Sequence, residues 1–314
     1  MVGKEKKRRQ HYVWKHYLGA WASGSQVWCQ RQGRRFRTST DNVANRQDFY
    51  RLKEMRDRDL AIVKLLVIDR VAPNLQPLIR GWIPYFRDLH RLMRLYESLG
   101  RKDAEVEAAL DVAINNLEEE LHARIEGKGV PILAALRARD ASILDGQGHN
   151  IDFFWYLAVQ YFRTAGMARA VTQALSEVPD FNADAAWGLM RTCFATTTGY
   201  SFFSGRGNLR MTFLEAQVGA EFITGDQPLI NVRAKNLPAG TAPTEVELYY
   251  PLGPSLALLM DFQHPRAVRD QVQLTLDEVS GYNQLMFQSS TEQVYAASED
   301  ALARAAGDSP ANAV

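Results

Sequence analysis

Cysteine and long apolar runs are both scarce in this sequence of 314 residues. Its two cysteines, Cys29 and Cys193, form no CxxC pair, which argues against a structural zinc site and indicates a reducing compartment. No apolar run approaches the roughly 18 residues that a membrane-spanning helix needs. The stretch Val13 to Gly19 contains Lys15 and His16, so it cannot be the apolar part of a secretion signal. These absences predict a cytoplasmic protein that does not associate with membranes.

The short motifs of several enzyme classes are also missing. The six histidines form no HExxH pair, so a metalloprotease is not indicated and no metal ligand is predicted. The chain has no GxxxxGK(S/T) loop, no GxGxxG loop and no GxSxG elbow, which are the usual signatures of nucleotide-binding proteins and α/β-hydrolases. The sequence leaves the identity of any cofactor open.

Charge is distributed unevenly along the chain, although the net charge is only +1. Residues 1–46 contain 11 Lys and Arg side chains but only two acidic ones, Glu5 and Asp41, whereas the remainder is acidic overall. A basic end of this kind is typical of proteins that contact a polyanion. We therefore expect nucleic acid to bind through residues 1–46. The alternative is that these charges pair with the acidic remainder inside the fold, and the oligomeric state is left open.

The pattern of apolar residues predicts an α+β protein whose N-terminal two thirds are mostly helical. We expect a flexible basic arm over residues 1–9, a single domain over 10–296 and a frayed tail over 297–314. Within the domain the pattern predicts helices over about 45–200, an antiparallel β-meander over about 208–275 and a closing helix over about 277–296.

Two helical segments give sharper expectations. Asp103 is a suitable N-cap for a long helix that ends at Gly127, and Pro131 suits the first turn of a separate, shorter helix. The segment of residues 150–165 is apolar nearly all round. It is therefore predicted to be the central buried helix.

Two other segments alternate with the period of a strand. Residues 26–38 alternate around a glycine-containing turn and predict a β-hairpin. Residues 220–232 read as a strand, a tight turn at Gly225-Asp226 and a second strand.

Three polar side chains lie beside apolar stretches, where an unpaired polar group is costly. His11 lies among aromatic residues, Arg163 at the end of the apolar helix and Asp226 in the tight turn. Three groups suffice for the cleavage of a phosphodiester: a histidine to transfer a proton, a cation and a carboxylate. His11, Arg163 and Asp226 are therefore the predicted catalytic residues, and we expect them to share a cleft between the helices and the sheet. The structural alternatives are a core histidine, an ion pair of Arg163 and bonds from Asp226 to its own turn.

Further polar residues are predicted to bind the ligand. Residues 6–16 combine cationic and aromatic side chains. Cations bind phosphates and aromatic rings stack on bases, so this segment is predicted to bind nucleic acid. The alternative is a solvated arm followed by aromatic residues that fill the core. Asn283 lies on a late helix beside apolar residues, where its amide needs a partner in the fold or in a ligand. The predicted binding residues are Lys6, Lys7, Arg8, Arg9, Tyr12, Lys15 and Asn283.

Several of these stretches, taken in order, resemble a known family. HYVWKHYLGAW at residues 11–21 resembles the HYVP-x-x-YL-x-x-F opening of the bacterial domain-of-unknown-function family numbered 4238. FRTAGMAR at 162–169, ITGDQP at 223–228 and PLGPSLALL at 251–259 follow in the order of that family. The resemblance runs from about residue 10 to residue 296 and depends on order and spacing rather than on a single motif.

Two departures from the family pattern fall near the predicted site. Trp14 stands where the family usually has proline, and Gly225 stands where serine is common. The resemblance implies a bacterial, cytoplasmic protein and no established activity. The recurrent polar positions of the family are matched in this sequence by His11, Arg163, Asp226 and Asn283.

Three functions fit these observations, and the sequence does not decide whether the protein is an enzyme. The first is a hydrolase of nucleic acid, RNA in particular, or a toxin-like effector. The second is a non-catalytic nucleic-acid-binding or adaptor protein that uses the basic arm and the helical body. The third is a small-molecule hydrolase, which the missing nucleophile motif disfavours. Convergence of the four polar residues in one cleft would favour the first.

Overall fold

The computed structural model describes residues 5–100, 102–234 and 244–307. Helices dominate up to residue 205 and strands are concentrated between residues 210 and 274, which confirms the predicted α+β class. Within these residues, no helix combines the length and the apolar character needed to cross a bilayer.

The helices begin and end largely at residues with the expected capping chemistry. The Asp103 carboxylate accepts hydrogen bonds from the Glu105 and Val106 main-chain amides, as predicted for an N-cap. In the described residues, the α-helices are α1 (Lys15–Leu18), α2 (Asp57–Leu66), α3 (Gln76–Arg80), α4 (Trp82–Ser98), α5 (Ala104–Arg137), α6 (Gln147–Phe162), α7 (Ala165–Ala174), α8 (Ala183–Gly205), α9 (Leu276–Ser289) and α10 (Glu299–Ala305).

Helix α5 is longer than the sequence indicated. The prediction that it ends at Gly127 and that a new helix begins near Pro131 was wrong, because α5 continues through both residues to Arg137. Gly129 has a packing role instead of a helix-breaking one, since a Cβ there would lie 2.3 Å from Cδ2 of Tyr156 on α6. Packing of α5 against α6 therefore overrides the local tendency of glycine and proline to end a helix.

Within the described parts of the chain, the strands form three sheets. The predicted hairpin over residues 26–38 is confirmed as β2 paired with β3. The strands are β1 (Arg9–His11), β2 (Gln26–Arg31), β3 (Arg34–Ser39), β4 (Asn45–Gln47), β5 (Arg210–Ala216), β6 (Thr224–Gly225), β7 (Ile230–Asn231), β8 (Glu247–Gly253), β9 (Leu256–Asp261), β10 (Val268–Leu274) and β11 (Gln293–Ala296).

The largest sheet differs from the predicted meander. Its order is β10-β5-β9-β8-β7, in which β10 pairs with β5 in parallel and the other pairs are antiparallel. A second sheet has the order β3-β2-β11-β6, and β1 pairs with β4 in a third. Parallel pairing requires the chain to cross over after β9, so β10 lies at the edge beside β5 instead of continuing a meander.

The segment around Asp226 connects two sheets. β6 pairs with β11 in the four-stranded sheet, whereas β7 pairs with β8 in the five-stranded sheet. The predicted strand, turn and second strand correspond to β6, the turn at Asp226 and β7, but the two strands do not pair with each other, and the turn carries the chain from one sheet to the other.

Both ends of the described chain are tied to the body. Glu5 and Lys7 lie along α5: the Glu5 carbonyl accepts a bond of 2.8 Å from Asn116 Nδ2, and the Lys7 amide donates one of 2.9 Å to Asn116 Oδ1. Residues 299–305, predicted to fray, form α10, which buries Leu302. The remaining parts of the predicted arm and tail, residues 1–4 and 308–314, lie outside the described residues.

Helix α6 lies at the centre of the largest hydrophobic cluster, as its apolar composition predicted. It packs between α5 and α8, and its Phe153, Phe154 and Leu157 are at most 1% exposed. The five-stranded sheet contacts α9 through β10, whereas α10 packs on β11, β2 and β3 of the four-stranded sheet. The helical layer and the sheets therefore meet along α5, α6 and the aromatic segment that contains α1.

Candidate functional site

Two of the predicted catalytic residues meet at the end of α6. Arg163 is only 2% exposed; its Nε donates to the Tyr50 hydroxyl at 2.8 Å and its Nη2 donates to the His11 carbonyl oxygen. The guanidinium also lies 4.5 Å from the centre of the Trp14 ring. Arg163 therefore contacts the main chain of His11, and its direct partners are neutral groups rather than the expected carboxylate.

The His11 side chain is held in a mostly buried position. Burial lowers the pKa of His11, a hydrogen bond with the Thr40 main chain raises it and the Arg163 charge lowers it again, so that the pKa lies below its ordinary value. The neutral imidazole is favoured, and its Nε2 has no hydrogen-bond partner among the described residues.

Asp226 does not interact with Arg163 directly. Its carboxylate accepts bonds from the main-chain amides of Thr291, Glu292 and Gln293, at 2.8, 2.7 and 3.2 Å, and from the Thr291 hydroxyl at 3.0 Å. The neighbouring residues do approach one another, because Thr164 Oγ1 lies 2.5 Å from Gln227 Oε1. The Asp226 side chain thus fixes the start of β11. Its partners lie in the protein, but 65–67 positions later and not in its own turn as the structural alternative expected.

We expect Asp226→Asn to reduce the free energy of unfolding by about 3 kcal/mol, because an amide nitrogen would face buried donors that lose their acceptor. Chemical denaturation measures the loss. Asp277→Asn, on the exposed first turn of α9, is the matched control and should change stability by less than about 0.5 kcal/mol. Equal stability of the two variants would show that the Asp226 carboxylate does not hold β11.

Asn283 also has a structural partner. Its Oδ1 accepts a bond of 3.0 Å from the Ile223 amide, and its Nδ2 donates one of 2.8 Å to the Glu221 carbonyl. These bonds attach α9 to the segment that leads into β6. The amide is satisfied within the fold, as the structural alternative for this residue required.

Most of the predicted nucleic-acid-binding residues have partners in the protein. Lys6 pairs with Asp111 at 2.8 Å, Arg8 with Asp48 at 3.2 Å, and Lys15 with Asp41. The other contacts are those of the Lys7 amide with Asn116, of Arg9 with the Asp41 carbonyl and Asn42, and of the buried Tyr12 hydroxyl with Gln293. Lys6 and Arg8 are therefore paired with carboxylates of the acidic remainder, whereas Lys15 is paired with Asp41 inside the basic segment itself.

A polar stripe on α5 was not found from the sequence. Glu118, His122 and Glu126 are spaced by four residues and therefore lie on one face of α5, with Glu119 beside them. This face points toward Tyr50, Arg163 and Arg191 rather than into solvent. The spacing of charged residues in LEEELHARIE was the available signal, but a charged stripe on a helix is usually solvated.

Arg191 on α8 neutralises the first residue of this stripe. Its Nε donates to Glu118 Oε1 at 2.6 Å, and both side chains are almost completely buried. Burial acts to raise the pKa of Glu118, but Arg191 and His122 outweigh it, so this carboxyl has a pKa below its ordinary value and stays ionised. This pair is a buried ion pair whose loss would leave a charge without a partner.

His122 is buried beside these charges in its neutral form. Burial, followed by the charge of Arg163, lowers its pKa from 6.5 to about 3, although Glu118 acts in the opposite direction. Its Nε2 lies 3.3 Å from Glu118 Oε1, which makes Nε2 the donor and leaves Nδ1 as an acceptor.

The lowered pKa of His122 predicts a loss of stability in acid. Between about pH 6.5 and about pH 3 the unfolded chain binds a proton at this histidine and the folded chain does not, so stability present above pH 6.5 is lost as the pH falls. The slope is at most roughly 1.4 kcal/mol per pH unit.

Measurement of thermal unfolding between pH 7 and pH 4.5 tests this prediction. We expect the midpoint of the wild-type protein to fall more steeply than that of His122→Gln, whose amide can still donate to Glu118 but does not titrate. Burial raises the pKa of Glu119 and Glu126, so these two carboxyls change the stability with pH in the opposite direction to His122. Both proteins contain them, so they do not affect the comparison. Parallel pH profiles would contradict the assignment.

The last residue of the stripe opens into a cleft of about 870 Å³. This α5 cleft is bordered by Lys15, His16, Thr40, Glu126, Arg137 and the β8–β9 turn at residues 252–256. Glu126 Oε1 accepts a bond of 3.1 Å from the His16 amide. Burial raises the pKa of Glu126, and the Arg163 charge and the His16 amide lower it in part, so that the pKa remains above its ordinary value.

These features define an α+β protein with a buried polar cluster that reaches an open cleft. In the described residues, no group of three His, Cys, Asp or Glu side chains could hold a metal ion. The family model for a protein of unknown function, DUF4238, matches residues 9–199 and 201–300, so the chain belongs to this family, as its motifs suggested. Neither the curated proteins nor the solved structures contain a match.

Packing explains the two departures from the family pattern. Trp14 is 1% exposed and stacks on Tyr156 with ring centres 4.1 Å apart, so the larger side chain fills the core beneath Arg163. A Cβ on Gly225 would lie 1.8 Å from Ser290 Oγ. A serine at position 225 would therefore require Ser290 to move.

Proposed function

We propose that the protein is a hydrolase of nucleic acid, with RNA as its substrate, and that the reaction takes place in the α5 cleft. The proposal is carried by Glu126, a partly buried carboxyl at the border of this cleft whose pKa is raised by burial. A raised pKa brings such a carboxyl closer to the range in which a side chain can both take up and release a proton during catalysis.

The surroundings of Glu126 support both of its protonation states. Burial favours the protonated acid, whereas the His16 amide and the Arg163 charge favour the carboxylate. In the reaction, Glu126 takes the proton of the attacking hydroxyl as the new P–O bond forms. The bond to the leaving oxygen then breaks, this oxygen takes a proton from water, and Glu126 releases its proton to solvent and becomes a carboxylate again.

Two of the residues predicted from the sequence support this site indirectly. Arg163 supplies positive charge from behind the cleft, and His11, bonded to the main chain of the cleft residue Thr40, holds the segment that leads into α1. Asp226 has no part in the proposal because its partners lie in β11 and the residues just before it.

Incubation of the purified protein with labelled RNA and DNA, with and without divalent cations, tests the proposal. We expect RNA cleavage products whose amount increases with time and with protein concentration. No product from either nucleic acid under any of these conditions would overturn the proposal.

A non-catalytic adaptor is the second candidate, and one observation favours it. Leu92, Leu95 and Leu99 on or just after α4 are 50%, 58% and 62% exposed and follow helical spacing, which is typical of a face that binds another protein. Replacement of these three leucines by serine should leave RNA cleavage unchanged if the protein is a hydrolase.

A further inference from the structure

Arg137, the last residue of α5, is held in a fixed geometry at the border of the α5 cleft. Its Nε donates to the Leu252 carbonyl at 2.8 Å and its Nη2 donates to the Tyr17 carbonyl at 3.2 Å. Two main-chain acceptors, one from β8 and one from α1, therefore orient the guanidinium plane. This orientation is formed by the protein before any ligand binds.

The charge of Arg137 is not neutralised by a carboxylate. In the parts of the chain that the structure describes, its polar partners are these two neutral carbonyls. Arg139, two residues later, differs in this respect because its Nε pairs with Glu215. An oriented, partly buried guanidinium whose charge is not neutralised by a carboxylate is suited to bind an oxyanion, since the N–H groups of arginine match the geometry of phosphate and carboxylate oxygens.

Arg137 and Glu126 lie on the same face of α5, because the 11 positions between them are close to three turns. Their side chains bond consecutive residues of α1, Glu126 to the His16 amide and Arg137 to the Tyr17 carbonyl. A ligand with one anionic group at Arg137 and its reacting bond near Glu126 can therefore contact both residues in the α5 cleft.

We propose that Arg137 is an anion-binding residue that holds a phosphate of an extended ligand in the α5 cleft. The identity of that ligand as an RNA strand rests on the proposed function, whereas the anion site itself does not. Arg137 sets the register of the strand and therefore determines which phosphodiester reaches Glu126.

Fluorescence anisotropy with two short RNA probes tests the inference. The probes are a 3′-labelled trinucleotide with a 5′-phosphate and the same trinucleotide without it, both with 2′-O-methyl groups so that attack by the 2′-hydroxyl cannot occur. We expect the 5′-phosphate to strengthen binding to the wild-type protein about tenfold or more, as for a charged hydrogen bond. In Arg137→Gln this gain should disappear, and in Arg139→Gln, the matched control, it should remain.

Each other outcome has a definite meaning. If the wild-type protein binds the two probes equally, Arg137 does not set the register of an RNA strand. This comparison needs no variant, so it decides the question even if Arg137→Gln fails to fold. Inorganic phosphate is the third probe: a rise in the unfolding temperature of the wild type and Arg139→Gln, but not of Arg137→Gln, supports an anion site for another ligand. If neither RNA binding nor phosphate binding depends on Arg137, the inference is wrong. If Arg137→Gln nevertheless cleaves RNA at an unchanged rate, the proposed function still holds.

Discussion

Replacement of Glu126 by glutamine is expected to reduce the rate of RNA cleavage by roughly 10²–10⁴-fold, the usual contribution of a positioned acid or base. The amide keeps an oxygen that can accept the His16 hydrogen bond, so the local geometry is preserved while proton transfer is removed. The rate is measured with substrate in excess over a range of pH. Because burial raises the pKa of Glu126, the wild-type rate should have an ionisation step above the ordinary range of a glutamate, and this step should be absent in the variant.

Glu107→Gln is the matched control for this experiment. It makes the same chemical change in the same helix, but at an exposed position in the first turn of α5, far from the cleft. The control should cleave RNA at the wild-type rate, and both variants should unfold near the wild-type temperature. A folded Glu126→Gln protein with the full rate would remove Glu126 from the mechanism.

The second large effect concerns the core, where Phe154→Ala is expected to lower the free energy of unfolding by roughly 3–5 kcal/mol. Phe154 is fully buried, and its ring centre lies 5.5 Å from that of Phe153 and 6.0 Å from that of Phe262. Removal of the ring leaves a cavity between α6, α8 and the five-stranded sheet. Urea denaturation at constant pH measures the change.

Ile151→Ala in the same helix provides the comparison. Its side chain is 43% exposed, so truncation there should cost less than about 1 kcal/mol. If the two substitutions were equally mild, α6 would not be the centre of the core.

The class of the fold and its central helix could be predicted because they depend on local patterns. The apolar run of α6 predicts a buried helix, and its residues from Phe153 to Gln160 are mostly buried. Alternation of side chains predicts the β2–β3 hairpin directly. The course of α5 past Gly127 and Pro131 could not be predicted in the same way. It depends on contacts with residues such as Tyr156, which are distant in sequence and become neighbours only in the folded chain.

The candidate site was predicted only in part for a related reason. His11 and Arg163 carried a local signal, an isolated polar group beside apolar residues, and they do meet. The same signal at Asp226 indicated a bond within its own turn or to a ligand. Its carboxylate oxygens instead accept hydrogen bonds from the main-chain amides of residues 65–67 positions later. Glu126 and Arg137 carried no such signal, because exposed glutamate and arginine are ordinary on a long helix.

The four-stranded sheet has a consequence for synthesis on the ribosome. β2 and β3 leave the ribosome early, yet the other neighbour of β2 is β11, which begins about 260 residues later. At roughly 5–20 residues per second, β2 spends from about ten seconds to a minute with an open hydrogen-bonding edge. An open strand edge can pair with other chains, so shielding of this edge in the nascent chain, for example by a chaperone, would favour the fold over an aggregate until β11 is made.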